Sequence, residues 1–160
     1  MDADKTVVNM DEINALTSKI IGAAIAVHTE LGPGIYESVY ESCMAIELRR
    51  QGLTVDVQVP VPVYYKGEKV ADEGFRMDLL VQGTVVVELK SIEEVKRVHK
   101  KQVLTYLRLA RKPLGLLINF SVDRLSDGVY RIIDTNRGVG EGPISKVFSW
   151  FFSVLSALFV

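Results

Sequence analysis

Three residues in the stretch FRMDLLVQGTVVVELKS fit poorly with the apolar company around them. Asp78 interrupts the run Phe75–Val81, and Glu88 and Lys90 sit two apart in VVVELK. Burying an unpaired charge costs on the order of several kcal/mol, so ionisable groups in such strands need partners or a task. Residues two apart on a strand face the same way, which puts Glu88 and Lys90 on one face. With Asp78 on that face too, two carboxylates and an ammonium converge. Two carboxylates on a rigid strand pair suit a hard divalent cation such as Mg²⁺, and a lysine beside it can orient or deprotonate an attacking water. An ion pair of Lys90 with Glu88 or Asp78 on a solvated sheet face accounts for the same spacing.

The loop between the two strands decides whether the faces agree. A two-residue Gln82-Gly83 turn sets Asp78 opposite Val87 and sends Glu88 to the other face. A three-residue loop, Gln82-Gly83-Thr84, pairs Val81 with Val85 and puts Asp78 directly across from Glu88. A shared site requires the odd loop or a bulge.

A helix expected over 92–110 carries Gln102 and Tyr106, four apart and so on one side. Between Val95 and Lys112 there are seven basic residues (Lys96, Arg97, Lys100, Lys101, Arg108, Arg111, Lys112) and no acidic one. Such a local field suits phosphates, although a solvated helix face has the same pattern. His99 lies near it as a phosphate or surface contact. His28 reads as a packed or helix-end residue. Glu37 falls in the first turn of another helix, where the dipole favours any glutamate, and Tyr40 packs one turn later.

The elements that must hold these residues follow from periodicity. Apolar residues from Ile13 to Leu31 recur at helical spacing, with Asn9 or Asp11 to cap them and Gly32-Pro33-Gly34 to end the helix. A second helix is expected from about Ile35 to Arg50. Thr54–Val63 alternates but contains Pro60 and Pro62, which marks an edge or broken strand. Tyr64–Glu68 reads as a strand entering a turn. Ser91 with Glu94 resembles a capping box for the third helix. Leu114–Phe120 suits a strand buried on both faces, and Gly128–Asp134 is a further short strand. The order is ααβββαβ with that last strand before a tail: an α/β (α+β) domain with helices packed over a mixed β-sheet.

Composition excludes several classes. The chain has 160 residues, 48% hydrophobic and 24% charged, which is ordinary for a globular domain. Lys+Arg 19 against Asp+Glu 20 gives a net charge of −1, so nucleic acid can be met only by a local patch. One cysteine, Cys43, and two histidines cannot build an internal disulfide or a zinc finger. The polar, acidic start is unlike a signal peptide, and the cytoplasm is the expected location. Val147–Val160 is uncharged, mostly apolar, and too short to span a bilayer as a helix.

Together these pieces resemble a known family. Gly34-Ile35-Tyr36-Glu37-Ser38-Val39-Tyr40 is the G-x-x-E-x-x-Y signature of the GxxExxY proteins, within the PD-(D/E)xK nuclease-like superfamily. LGPGIYESVYE, GFRMDLLV, VVVELKS, HKKQVLTYLRL and GLLINF also resemble that family, in its order, over about residues 11–134. The resemblance implies a restriction-endonuclease-like core with a metal site on two adjoining strands. It implies that Asp78 takes the motif aspartate, Glu88 and Lys90 the E-x-K pair, and Glu37 the helix-borne acid. Gln102 and Tyr106 resemble a Q-x-x-x-Y element that orients substrate and site. Met77 stands where the superfamily's name has proline.

The expected function is a Mg²⁺- or Mn²⁺-dependent nuclease. Asp78, Glu88 and Glu37 bind metal; these three with Lys90, Gln102 and Tyr106 form the catalytic set; Lys96, Arg97, His99, Lys100, Lys101 and Arg108 contact nucleic acid, DNA ahead of RNA. The alternative is an inactive nucleic-acid-binding or assembly module that keeps the fold. Residues 1–135 are expected to form the domain and 136–160 a linker and apolar tail. That tail would dock on its own domain, on a second copy, or shallowly on a membrane surface, in that order.

Overall fold

The computed structural model describes residues 9–135. The expected tail lies outside them. Helix α1 (Met10–Leu31) is capped by Asn9, whose side chain accepts the Asp11 N–H at 3.1 Å, and it ends at Gly32, φ +69°. Helix α2 (Glu37–Arg50) follows a short turn. Strands β1 (Val55–Tyr65), β2 (Glu68–Val81) and β3 (Val85–Lys90) come next, then helix α3 (Arg97–Ala110), strand β4 (Leu114–Asn119) and strand β5 (Val129–Ile133).

The five strands form one sheet in the order β1-β2-β3-β4-β5. Only β3 and β4 run parallel, joined through α3; the other pairs are antiparallel. The α+β expectation of a mixed sheet flanked by helices therefore holds. Val85, Val87, Leu89, Leu116 and Ile118 bury one face under α1 and α2. Val86 and Leu80 bury the other with Tyr106 and Leu107 of α3. At Gly115 a Cβ would lie 2.5 Å from Val103 Cγ1, so glycine lets α3 sit close on β4. As the prolines suggested, β1 is an edge strand.

Two boundaries differ from expectation. Strand β2 starts at Glu68, because Lys66 (φ +49°) and Gly67 (φ +82°) form a two-residue turn that pairs Tyr65 with Glu68. Helix α3 starts at Arg97, so Ser91 and Glu94 do not cap it. Ser91 is engaged elsewhere: its hydroxyl donates to Ile35 O at 2.7 Å. The buried Asn119 side chain holds the N–H and C=O of Ile92, at 3.1 and 2.9 Å. Tied to the end of β4 in this way, the segment cannot wind. Lys96 takes the cap position instead, with its N–H donating to His99 Nδ1 at 2.9 Å. Among the described residues no helix is long and apolar enough to cross a membrane.

Candidate active site where two strands part

The β2–β3 register is Val81↔Val85, Leu80↔Val86, Leu79↔Val87. The loop is the three-residue Gln82-Gly83-Thr84, with Gln82 (φ +53°) and Gly83 (φ +61°) both left-handed. Continued one step, this register sets Asp78 across from Glu88. The ladder stops just before that step. There the Asp78 carboxylate takes over from the backbone, accepting the Leu89 N–H on Oδ2 at 2.8 Å. Alternation from Val86 puts Glu88 and Lys90 on the α3 face.

Glu88 is 3% exposed. Its Oε1 meets Lys90 Nζ at 3.3 Å, while Oε2 is buried without a hydrogen-bond partner. The anticipated ion pair therefore forms, but with a buried Glu88 and through one of its oxygens only. Burial pushes the Glu88 pKa up to about 7; the Asp78 charge adds to this, while Lys90 and the nearby Asp78 backbone N–H oppose it. Asp78 is also raised by burial, against the Leu89 N–H, Lys90 and Gln58, with Glu37 reinforcing the rise. Tyr106 is raised by burial first and then by the Glu88 charge, which keeps its phenol protonated. Gln102 Nε2 donates to that phenol at 2.7 Å. The pair forms as the four-residue spacing predicted, and it faces the carboxylates.

Glu37 reaches the site from the opposite side of the sheet. Gly34, φ +90°, turns the chain into α2. Tyr40 then fastens the turn. Its hydroxyl donates to Gly32 O and accepts the Ile35 N–H, and its ring stacks on Phe120 at 4.2 Å. Glu37 itself is exposed, and its Oε1 accepts the Ser91 N–H at 3.2 Å. An open cleft beside it, lined by Gly34, Ile35, Ser91 and Ser121 among others, does not include Asp78, Glu88 or Lys90.

The three carboxylates expected to bind metal do not stand as one cluster. Among the described residues no three His, Cys, Asp or Glu side chains gather as a set that could hold one ion. Glu37 is engaged with the β3 exit, so the inner pair is Asp78 and Glu88. That pair would suit a hard cation: both groups are carboxylates, and Glu88 Oε2 is buried without a hydrogen-bond partner.

The basic run divides. Lys100 Nζ lies 4.2 Å from the Tyr130 ring centroid, Arg108 pairs with Asp134 at 3.4 Å, and Lys112 donates to Gly83 O at 2.8 Å. Arg111 is the left-handed C-cap of α3, φ +54°. Lys96, Arg97 and Lys101 are exposed. His99 serves the helix cap. His28 packs as expected, its Nε2 donating to Val122 O at 2.8 Å.

Two site neighbours escaped sequence reasoning. Gln58 Nε2 donates to Glu41 Oε2 and, at 3.3 Å, to Asp78 Oδ1. Burial raises the Glu41 pKa, Gln58 lowers it, and Asp78 raises it. The spacing of Glu37 and Glu41, one helical turn apart, was a usable signal. Gln58 gave none, because it looks like any outward residue of an edge strand.

A family model described as the PD-(D/E)XK nuclease superfamily matches residues 14–132, which is most of the chain. The chain belongs to the PD-(D/E)XK nuclease superfamily. Comparison with curated proteins and with solved structures gives no match. For a PD-(D/E)XK chain the observed core, a mixed sheet flanked by helices, is the restriction-endonuclease-like arrangement, and nuclease chemistry is the activity its family suggests.

Proposed function

We propose that this chain is a Mg²⁺- or Mn²⁺-dependent nuclease of the GxxExxY branch, hydrolysing phosphodiester bonds at the parting of β2 and β3. The observation that carries the reading is the convergence of Asp78, Glu88 and Lys90, with Glu88 Oε2 buried and unpartnered. Asp78 stands as the motif aspartate and Glu88-Leu89-Lys90 as the E-x-K element, with Met77 in the place of the proline. Asp78 and Glu88 would hold the cation, which when bound supplies charge to polarise a phosphate and acidify water.

The chain's own residues do the rest. Lys90 presents an ammonium that orients the attacking water and steadies developing negative charge. Glu37, close enough for Asp78 to feel its charge, holds water from the α2 side. Tyr106, kept neutral and oriented by Gln102, offers a hydroxyl rather than a phenolate to the substrate side. Lys96, Arg97 and Lys101 project from the first turns of α3 as phosphate contacts.

Labelled single- and double-stranded DNA and RNA, incubated with wild type or Lys90→Ala in Mg²⁺, Mn²⁺ or EDTA, test this reading. Metal-dependent cleavage by the wild type alone is expected, with DNA the better substrate. Binding that persists in EDTA, with no cleavage by either protein, would instead identify a nucleic-acid-binding module that keeps the nuclease fold.

A further inference from the structure

We propose that Gln58 is a positioning residue of this site: an amide that a left-handed backbone in mid-strand aims between Asp78 and Glu41, so that the Asp78 carboxylate is held by both oxygens. Its catalytic consequence rests on the nuclease reading; the contact does not.

Of the described non-glycine residues with positive φ, Lys66, Gln82 and Arg111 lie in turns or at a helix end. Gln58, at φ +53°, lies inside β1. The pairs on either side of it, Val57↔Leu79 and Val59↔Met77, belong to one continuous register, and that register sets Gln58 opposite Asp78. An L residue rarely adopts this conformation, and where a strand merely needs to bend the usual choice is glycine. Glutamine at this position signals that its side chain is used.

The surroundings show how. Arg76 Nη1 donates to Gln58 O at 3.1 Å and so secures the displaced peptide. The side-chain Nε2 has two hydrogens, and Glu41 Oε2 and Asp78 Oδ1 receive them. Asp78 Oδ2 is already held by the Leu89 N–H. A carboxylate bonded through both oxygens cannot rotate, and the bridging amide separates two like charges that would otherwise push Asp78 aside. The side-chain pattern also changes sides here. Val55, Leu79 and Val81 bury beneath α1 and α2, whereas Val61 and Met77, also odd-numbered, bury with Tyr106 and Leu107 of α3. The Gln58–Asp78 level is therefore where the outer hairpin reorients over α3, and the metal-binding aspartate of the proposed site lies at that pivot.

Gln58→Gly separates backbone from amide, because glycine accepts the φ but bonds neither carboxylate. Thermal unfolding should show a melting temperature equal to or above wild type. Steady-state cleavage in Mg²⁺ should show kcat lowered by about tenfold with KM within about twofold, in the range typical of residues that orient metal ligands. Gln58→Asn tolerates the same φ with a shorter reach and should behave like the glycine variant. Wild-type kcat in both variants overturns the proposal. A double-mutant cycle of Gln58→Gly with Asp78→Ala, read by thermal unfolding, needs no cleavage: non-additive shifts are expected, and additive shifts refute the contact. Absence of cleavage by the wild type would refute the nuclease reading and leave that cycle to decide on Gln58.

Discussion

The Gly34–Tyr40 turn and the Asp78–Lys90 strands meet at one end of the sheet, yet they treat polar groups in opposite ways. In the turn the contacts close on themselves. Tyr40, fully buried, gives and receives a hydrogen bond and stacks on Phe120. In the strands Glu88 is equally buried but keeps one oxygen without a partner and a pKa pushed up to about 7. A satisfied buried group contributes to the fold, whereas an unsatisfied one costs stability and is kept where a ligand can complete it. The contrast separates a clamp from a candidate site.

The sharpest separation comes from Lys90→Ala. Cleavage should fall by about 10²–10³, as for loss of a group that stabilises transition-state charge. Melting at pH 8 should fall as well, because the buried Glu88 carboxylate loses the ammonium that meets its Oε1, so cleavage is compared per folded molecule. Retained cleavage would place the reaction elsewhere. On the other side, Tyr40→Phe keeps the stack but strands Gly32 O and Ile35 N–H, for a loss of about 1–3 kcal/mol in urea unfolding. Its cleavage per folded molecule should stay near wild type. A Tyr40→Phe protein that melts normally but cannot cleave would collapse the distinction between clamp and site.

Glu88 gives the comparison a pH signature. Its carboxyl titrates near 4.5 in the unfolded chain and at about 7 in the fold. Between those values the fold binds more protons, so its stability falls as pH rises from about 4.5 to about 7 and stays low above that. Glu88→Gln should flatten this slope and, at pH 8, be more stable than wild type by about 1–3 kcal/mol in urea melts. Mg²⁺ should stabilise the wild type at pH 8 by mass action, about 2.7 kcal/mol at a hundredfold excess over Kd, and leave Glu88→Gln unmoved. Wild-type melting indifferent to Mg²⁺ and Mn²⁺ would remove the cation from the site. The smallest effect belongs to the exposed α3 surface: Lys101→Ala should weaken nucleic-acid binding modestly and lower the salt slope by about 0.9.

Local patterning carried much of this. The two long helices follow apolar spacing, Pro60 and Pro62 marked the edge strand, and the odd Gln82-Gly83-Thr84 loop was the stated condition for Asp78 to face Glu88. The α3 start was misread because the Ser91–Glu94 pattern is local, while the hold of Ile35 and Asn119 on Ser91 and Ile92 comes from elements remote in sequence. For the same reason, nothing near Glu37 in the chain announces that the Ser91 N–H will engage it. Glu41 was legible one turn after Glu37, whereas Gln58 was not, since no local rule puts a glutamine at φ +53° inside a strand.

By itself the sequence determined most of the elements, though not the starts of β2 and α3, and the face shared by Glu88 and Lys90, because strand and helix periods are properties of neighbouring residues. Only the tertiary structure decided that β2 and β3 part at Asp78, that Glu88 Oε2 is left without a partner, and that Gln58 spans Asp78 and Glu41. Those outcomes depend on which distant groups compete for each donor and acceptor, and on how much water the packed helices exclude.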